Sequence, residues 1–350
     1  MQTKVWRVDP HSPDPSQIAE AAQAILAGQL VAFPTETVYG LGANAFNRDA
    51  VRRIFIAKGR PAQDPLIVHL ASAALLPQVV RQIPPLAERL AALFWPGPLT
   101  LVLPKHPAIF DEITAALPTV AVRVPAHAVA LELLRASGVP IVAPSANRFG
   151  HVSPTTAQHV LEDLEGVIEG VLDGGATTVG VESTVLDLTC SPPRLLRPGG
   201  VSLEALQAQI GEVLYTPRFT SAAEELAPQP SPGLLAKHYA PRAELWLFTG
   251  EREGVSGKMR QAAVELGKTG RRVGVLISEE QQGSFGDLAV EVYLLGSEKR
   301  LDDMAKRLYV GLRALDRQGV EVILAPEVVA EGLGLAIRDR LRRAATRVVE

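Results

Sequence analysis

Cysteine is nearly absent from this 350-residue chain. Cys190 stands alone, which excludes an intrachain disulfide and a cysteine-built metal cage. An excess of basic charge is missing too. Lys and Arg number 35 against 38 Asp and Glu, a net charge of −3, so bulk charge alone does not hold the protein to nucleic acid. No stretch reaches the roughly 18 consecutive apolar residues of a membrane span. The opening MQTKVWRVDPHSPDPSQ has no apolar core of a secretory signal, so a cytosolic protein is expected. There is no Walker A loop and no G-x-S-x-G nucleophile elbow, and the seven histidines show no metal-ligand spacing. Internal repeats and low-complexity tracts are absent.

Apolar residues make up 47%, enough for a sizeable core. The 29 glycines and 27 prolines point to many tight loops. Over the first 200 residues the apolar period switches repeatedly between helix and strand. Helices are expected over 16–27, 48–57, 85–94, 127–136 and 155–164. Short apolar strands are expected over 30–33, 66–70, 99–103, 120–124, 141–143, 167–172 and 184–188. That alternation predicts an α/β fold, a twisted mixed sheet with helices packed on it. Around 212–242 the pattern breaks among prolines, and the reading there is a linker. A second α/β unit follows, with strands at 244–249, 272–277 and 320–325 and helices at 252–267, 302–318 and 335–348, the last carrying five arginines. It is Rossmann-like in order but lacks G-x-G-x-x-G after its first strand, so the fold alone implies no dinucleotide. The expected domains are 1–211, a linker 212–242 and a smaller C-terminal domain 243–350.

Polar loops follow several expected strands, where open α/β sheets bind ligands. In PTETVYGLGANA, Thr35 and Thr37 either orient a polar ligand or belong to a hydroxyl-rich turn. In KGRPAQDPLIVH, Lys58 and Arg60 either balance a helix dipole or clamp phosphate, and His69 is either a core histidine or a ligand. Arg123 is the one charge in the strand TVAVRV. It must reach solvent or hold an anion, and a carboxylate suits its fork. In APSANRFGHVSPTTAQH, Ser145, Asn147 and Ser153 enter a helix, a natural anion site. A plain cap, with Ser153 before Pro154, is the simpler alternative. Ser183, Arg197 and Tyr239 are weaker candidates. Cys190 reads as structural. Clamps for anions and hydroxyls without a nucleophile or metal cage suggest catalysis by positioning and charge stabilisation.

Taken in order, PTETVYGLGANA, KGRPAQDPLIVH, WPGPLTLVL, VAVRVP, PSANRFGHVSPT, ESTVLDL, LRPGG, SPGLLAKHYAP and GLGLAIRDRLRRAA resemble one family, the long two-domain L-threonylcarbamoyladenylate synthases of the YrdC/YwlC type. The resemblance spans nearly the whole chain. It implies that L-threonine, bicarbonate and ATP give threonylcarbamoyl-adenylate and pyrophosphate, and that a partner transferase complex moves the group onto an adenosine beside the tRNA anticodon. It implies threonine contacts from Thr35, His69, Arg123, Ser183 and the backbone of Ala143. ATP contacts are implied from Arg60, Asp64, Thr119, Ser145, Ser153, Arg197 and Tyr239. Lys58 and Arg60 would serve catalysis, Mg²⁺ would arrive with the nucleotide, and the linker would act as a lid. Two positions depart from the family pattern. Asp64 is often neutral there, and Phe149 replaces a small residue. A non-catalytic module binding double-stranded RNA or tRNA is the alternative. Carbamoyl transfer of the hydrogenase-maturation kind lacks its cysteine clusters here.

Overall fold

The computed structural model describes residues 2–217, 227–233 and 239–350. The chain divides into two units, one of residues 1–149 and 153–236, the other of 150–152 and 237–350. The expected linker is therefore shared between them. Residues 218–226 and 234–238 of it lie outside the described residues, and with them part of the lid expectation.

In the first unit the strands are β1 (Lys4–Arg7), β2 (Val31–Phe33), β3 (Gly40–Asn44), β4 (Ile67–His69), β5 (Leu99–Pro104), β6 (Thr119–Arg123), β7 (Ile141–Val142), β8 (Gly170–Asp173), β9 (Thr184–Asp187), β10 (Arg194–Arg197) and β11 (Leu214–Tyr215). They form one mixed sheet in the order β1-β8-β2-β3-β7-β4-β6-β5-β9-β10-β11. The helices are α1 (Pro15–Leu26), α2 (Arg48–Lys58), α3 (Pro85–Phe94), α4 (Asp111–Thr114), α5 (Ala128–Ser137), α6 (Ala157–Leu164) and α7 (Leu203–Ile210).

Local chemistry explains the bounds. Asp14 caps α1 through Ser16 N, with Pro15 at the first helical position. Ile18, Ala21, Ala22 and Ile25 then bury one stripe of α1 in a cluster with Val129, Leu133 and Leu134 of α5. Asn47 caps α2 and Gly59 ends it in the left-handed region, as the sequence predicts. The cap of α6 is a correction: Thr156 accepts from His159 N, so Ser153 is not the capping residue. β3 is also new. Its glycines read as loop, yet a Cβ on Gly42 would lie 2.8 Å from Phe33 Cε1 and 3.0 Å from the Val31 carbonyl. Only glycine lets this strand pack so closely.

The second unit is a parallel sheet of β12 (Glu244–Phe248), β13 (Val273–Ile277), β14 (Glu291–Leu294), β15 (Val322–Pro326) and β16 (Arg347–Val349), in the order β14-β13-β15-β12-β16. Its helices are α8 (Arg252–Lys268), α9 (Leu301–Arg317) and α10 (Leu333–Ala344). The Rossmann-like α/β expectation holds, with one correction at its end. The last helix stops at Ala344, and Arg347–Val349 pairs with Trp246–Phe248 as an edge strand. β-Branched Val348 and Val349 favour that pairing. No described helix is long and apolar enough to cross a membrane.

Candidate active site

Several of the expected site residues of the first unit lie at the ends of neighbouring strands. β4 and β6 run parallel with His69 opposite Arg123, which places both at the same sheet edge. Arg123 is 2% exposed and donates from Nη1 to Thr37 Oγ1 at 3.1 Å and from Nη2 to Glu36 Oε2 at 3.0 Å. Arg123, expected either to reach solvent or to hold an anion, thus holds a carboxylate of its own chain. Glu36 Oε1 and Arg123 Nε remain without a protein partner, both buried. Thr35 Oγ1 lies 2.8 Å from Thr37 Oγ1 and donates to the Val38 carbonyl at 2.7 Å. The turn thereby presents the Thr37 hydroxyl and the Glu36 carboxylate to one guanidinium, with the Thr35 hydroxyl bonded to Thr37.

His69 packs edge-on against Phe33, and its Nδ1 is buried without a partner. Burial first, then the Arg123 charge, holds its pKa well below the usual histidine range, so it is neutral at pH 7. The Ala143 amide, just past β7, donates to the Ile67 carbonyl at 2.9 Å, which brings the backbone of that loop beside β4.

Ser183 stands at the entrance to β9. Its Oγ is 2.8 Å from Thr100 Oγ1, and Arg197 donates to the Ser183 carbonyl from Nη2 at 2.9 Å and to its Oγ at 3.2 Å. Arg197 Nη1 also donates to the Pro232 carbonyl at 3.2 Å, tying described linker residues to this strand end. Ser153 Oγ donates to Glu182 Oε1 at 2.6 Å, next door to Ser183.

A second cluster surrounds the end of α2. Lys58 Nζ donates to the Ser145 carbonyl at 2.6 Å and to the Asn147 carbonyl. Phe149 N–H returns a bond to the Lys58 carbonyl at 2.8 Å, so the bulky side chain at that position leaves the loop's backbone tie intact. Burial, reinforced by the Arg60 charge, pushes the Lys58 ammonium well below its usual pKa. Arg60 Nη2 is 2.9 Å from Asp64 Oδ2, and its Nε and Nη2 donate to the carbonyls of Asp64 and Pro65 at 2.9 and 2.7 Å. Asp64, fully buried, is raised in pKa by burial against the opposing pull of Arg60, Lys58 and Arg197. Arg197 acts on Arg123 as well, so one electrostatic field joins both clusters.

One expected residue of the first unit stands apart. Thr119 opens β6, four residues from Arg123 and so about 13 Å away along the strand. Tyr239 belongs to the second unit, where its ring stacks on Tyr309 at 5.9 Å and faces the Arg340 guanidinium at 4.9 Å. Its φ of 62° is rare for an aromatic residue and marks a constrained position. Residues that sequence reasoning did not single out are Glu36, Thr100 and Glu182. The signal for two of them was visible, since Glu36 sits between Thr35 and Thr37 and Glu182 precedes Ser183.

Among the described residues no group of three His, Cys, Asp or Glu forms a metal cage. The carboxylates near the clusters are engaged by Arg123, Arg60 and Ser153, apart from the buried Glu36 Oε1. A Mg²⁺ held mainly by phosphate and water oxygens makes few demands on such a donor set.

Comparison with known proteins gives the family and the fold. A family model for Sua5, YciO and YrdC, described as telomere recombination, matches residues 23–199. A second, described as the C-terminal domain of threonylcarbamoyl-AMP synthase, matches residues 201–346. The chain is 50% identical to the threonylcarbamoyl-AMP synthase of Pyrococcus abyssi over 94% of each chain. It is 46% identical to that of Bacillus subtilis, over 99% of this chain and 98% of the other. The crystal structure of P. abyssi Sua5 complexed with L-threonine superposes with a TM-score of 0.92 at 47% identity, covering 99% of this chain and 100% of that one.

Proposed function

The chain belongs to the Sua5/YciO/YrdC family, and from that premise we propose that it is a threonylcarbamoyl-AMP synthase, joining L-threonine, bicarbonate and ATP with release of pyrophosphate and water. The observation that carries the reading is the buried link from Thr35 through Thr37 to Arg123, with neutral His69 alongside. It offers a cation for an amino-acid carboxylate and hydroxyl and imidazole groups for a side-chain hydroxyl. The unpartnered Arg123 Nε, Glu36 Oε1 and His69 Nδ1 are buried polar atoms of the kind that a small zwitterion satisfies.

In this reading threonine binds through Arg123, Thr35, His69, Ser183 and the backbone at Ala143. ATP binds beside it through Arg60, Asp64, Thr119, Ser145, Ser153 and Arg197. The threonine amine, unprotonated, adds to carbon dioxide from bicarbonate and gives a carbamate. A carbamate oxygen attacks the α-phosphorus, the bond to the β-phosphate oxygen breaks, and pyrophosphate leaves. Two anions must approach each other, and Arg60, Arg197 and Lys58 supply the compensating field. When bound with ATP, Mg²⁺ neutralises charge on the polyphosphate. The product then passes to a threonylcarbamoyl transferase complex acting on tRNA. The same reading assigns the cytoplasm, where ATP and tRNA meet.

The experiment is pyrophosphate release with and without L-threonine, in bicarbonate buffer. Release that depends on threonine, with the adenylate recovered by mass spectrometry, supports the proposal. Binding of tRNA or double-stranded RNA without any such release would reject it in favour of a binding module.

A further inference from the structure

The proposed reaction makes no use of the second unit's own crevice. We infer that this crevice is a separate binding site for an uncharged ribonucleoside-like ligand, a heterocycle carrying a vicinal diol and no phosphate.

A cavity of about 250 Å³ opens at the C-terminal edge of the parallel sheet. Phe248 ends β12, Ser278 follows β13, Leu295 follows β14 and Pro326 ends β15, so four successive strand ends line it. β12 and β15 are neighbours whose connections leave in opposite directions. β12 leads past β15 to β13, and β15 leads past β12 to β16. That reversal is where doubly wound sheets open a crevice for ligands. Gly250 is in the lining with φ 118°, which residues with a side chain rarely adopt, and a Cβ there would meet nothing within 4 Å.

The lining selects the ligand class. Val255, Leu301, Met304, Val328 and Val329 give aliphatic walls suited to a flat ring. On the polar side, Ser278, 2% exposed, donates from Oγ to Glu298 Oε1 at 2.7 Å. A fixed carboxylate beside a hydroxyl is a receptor for adjacent sugar hydroxyls. The lone cation of the lining, Arg338, is already paired with Glu327, Nη2 to Oε2 at 2.9 Å. Glu327 is shared with Arg342, which lies outside the lining, so among the described residues the lining's cation is already engaged and Glu298 adds negative charge, a poor setting for phosphate. The glycine-rich phosphate turn is missing as well, and acidic Glu251 precedes α8.

The test is equilibrium dialysis of the full chain with adenosine, guanosine, cytidine and uridine. L-threonine and a non-hydrolysable ATP analogue are present to fill the site of the first unit. The expected result is that at least one nucleoside binds below roughly millimolar concentration. Its affinity should fall about tenfold in Glu298→Gln and in its own 2′-deoxy form. Val329→Trp, at an exposed rim position, should also block binding, while threonine-dependent pyrophosphate release stays unchanged in both variants. The inference is overturned if no nucleoside binds, if the ATP analogue displaces the nucleoside, if a 5′-monophosphate binds tighter than its nucleoside, or if both variants bind as the parent does. Pyrophosphate release is read separately, so failure of the synthase assignment would leave this outcome legible.

Discussion

Arg123 Nη2 and Glu36 Oε2 lie 3.0 Å apart with both side chains almost wholly enclosed. Desolvation of such a pair nearly cancels its attraction, so its value is in fixing position rather than in net stability. Removing one partner is another matter, since it strands the other charge in the interior. Arg123→Ala should therefore raise the KM for threonine on the order of a hundredfold and leave that for ATP within a fewfold. It should also lower stability by about 3 kcal/mol in chemical denaturation. Glu36→Gln keeps a hydrogen-bond acceptor for the guanidinium and should cost less stability than Arg123→Ala. Equal rises in both KM values for Arg123→Ala would remove Arg123 from threonine recognition.

Lys58 offers a second test, because its ammonium is turned toward two backbone carbonyls, those of Ser145 and Asn147. Lys58→Ala leaves both carbonyls short of a donor and should cost about 1–3 kcal/mol of stability. Turnover should fall about tenfold or more if the charge also steadies the transition state. Lys58→Met fills the same space without the charge. Turnover as low in Met as in Ala identifies the charge as the working part, whereas near-parental turnover in Met would assign Lys58 to packing alone.

The strand ends that carry Arg123, His69 and Ser183 were legible from short apolar runs, since a charge or hydroxyl at the end of a Val- or Leu-rich segment is conspicuous. What those side chains touch was not. The Arg123–Glu36 contact joins residues 87 positions apart, and no local pattern encodes it. β3 escaped because GLGAN has poor strand propensity, and only tertiary crowding at Gly42 explains its residues. Ser153 before Pro154 fits the rule for a helix start, but the buried Glu182 carboxylate claims its hydroxyl and Thr156 caps the helix instead. The arginine of β16 continues the basic pattern of α10, so the sequence alone reads the two as one helix.

Asp64 is a buried carboxylate, and its ion pair with Arg60 explains how the charge is accommodated. Burial raises its pKa, so the ionised form is held at some cost. Asp64→Asn keeps an acceptor for Arg60 and removes a negative charge from the proposed nucleotide site. With Asp64 contacting ATP as proposed, the KM for ATP should rise severalfold, with the threonine KM unchanged. A fall in the KM for ATP would mean that the carboxylate only repels the nucleotide and does not bind it.

His127 supplies a pH dependence whose sign can be worked out. Burial, with a smaller push from His11, lowers its pKa from 6.5 to about 4. Below pH 6.5 the unfolded chain therefore takes up a proton that the folded chain refuses, so stability falls as pH falls through that window and levels off near pH 4. The slope from one such group is at most about 1.4 kcal/mol per pH unit, and partial exposure reduces the loss between pH 6.5 and 5 to about 1 kcal/mol. Buried His69 adds to it with the same sign. Urea denaturation at pH 6.5 and 5 should show this loss in the parent and a smaller one in His127→Gln, in a range above the titration of ordinary carboxylates. Identical losses in the two proteins would mean that the imidazole of His127 takes up its proton equally well folded and unfolded, and that its burial has no energetic consequence.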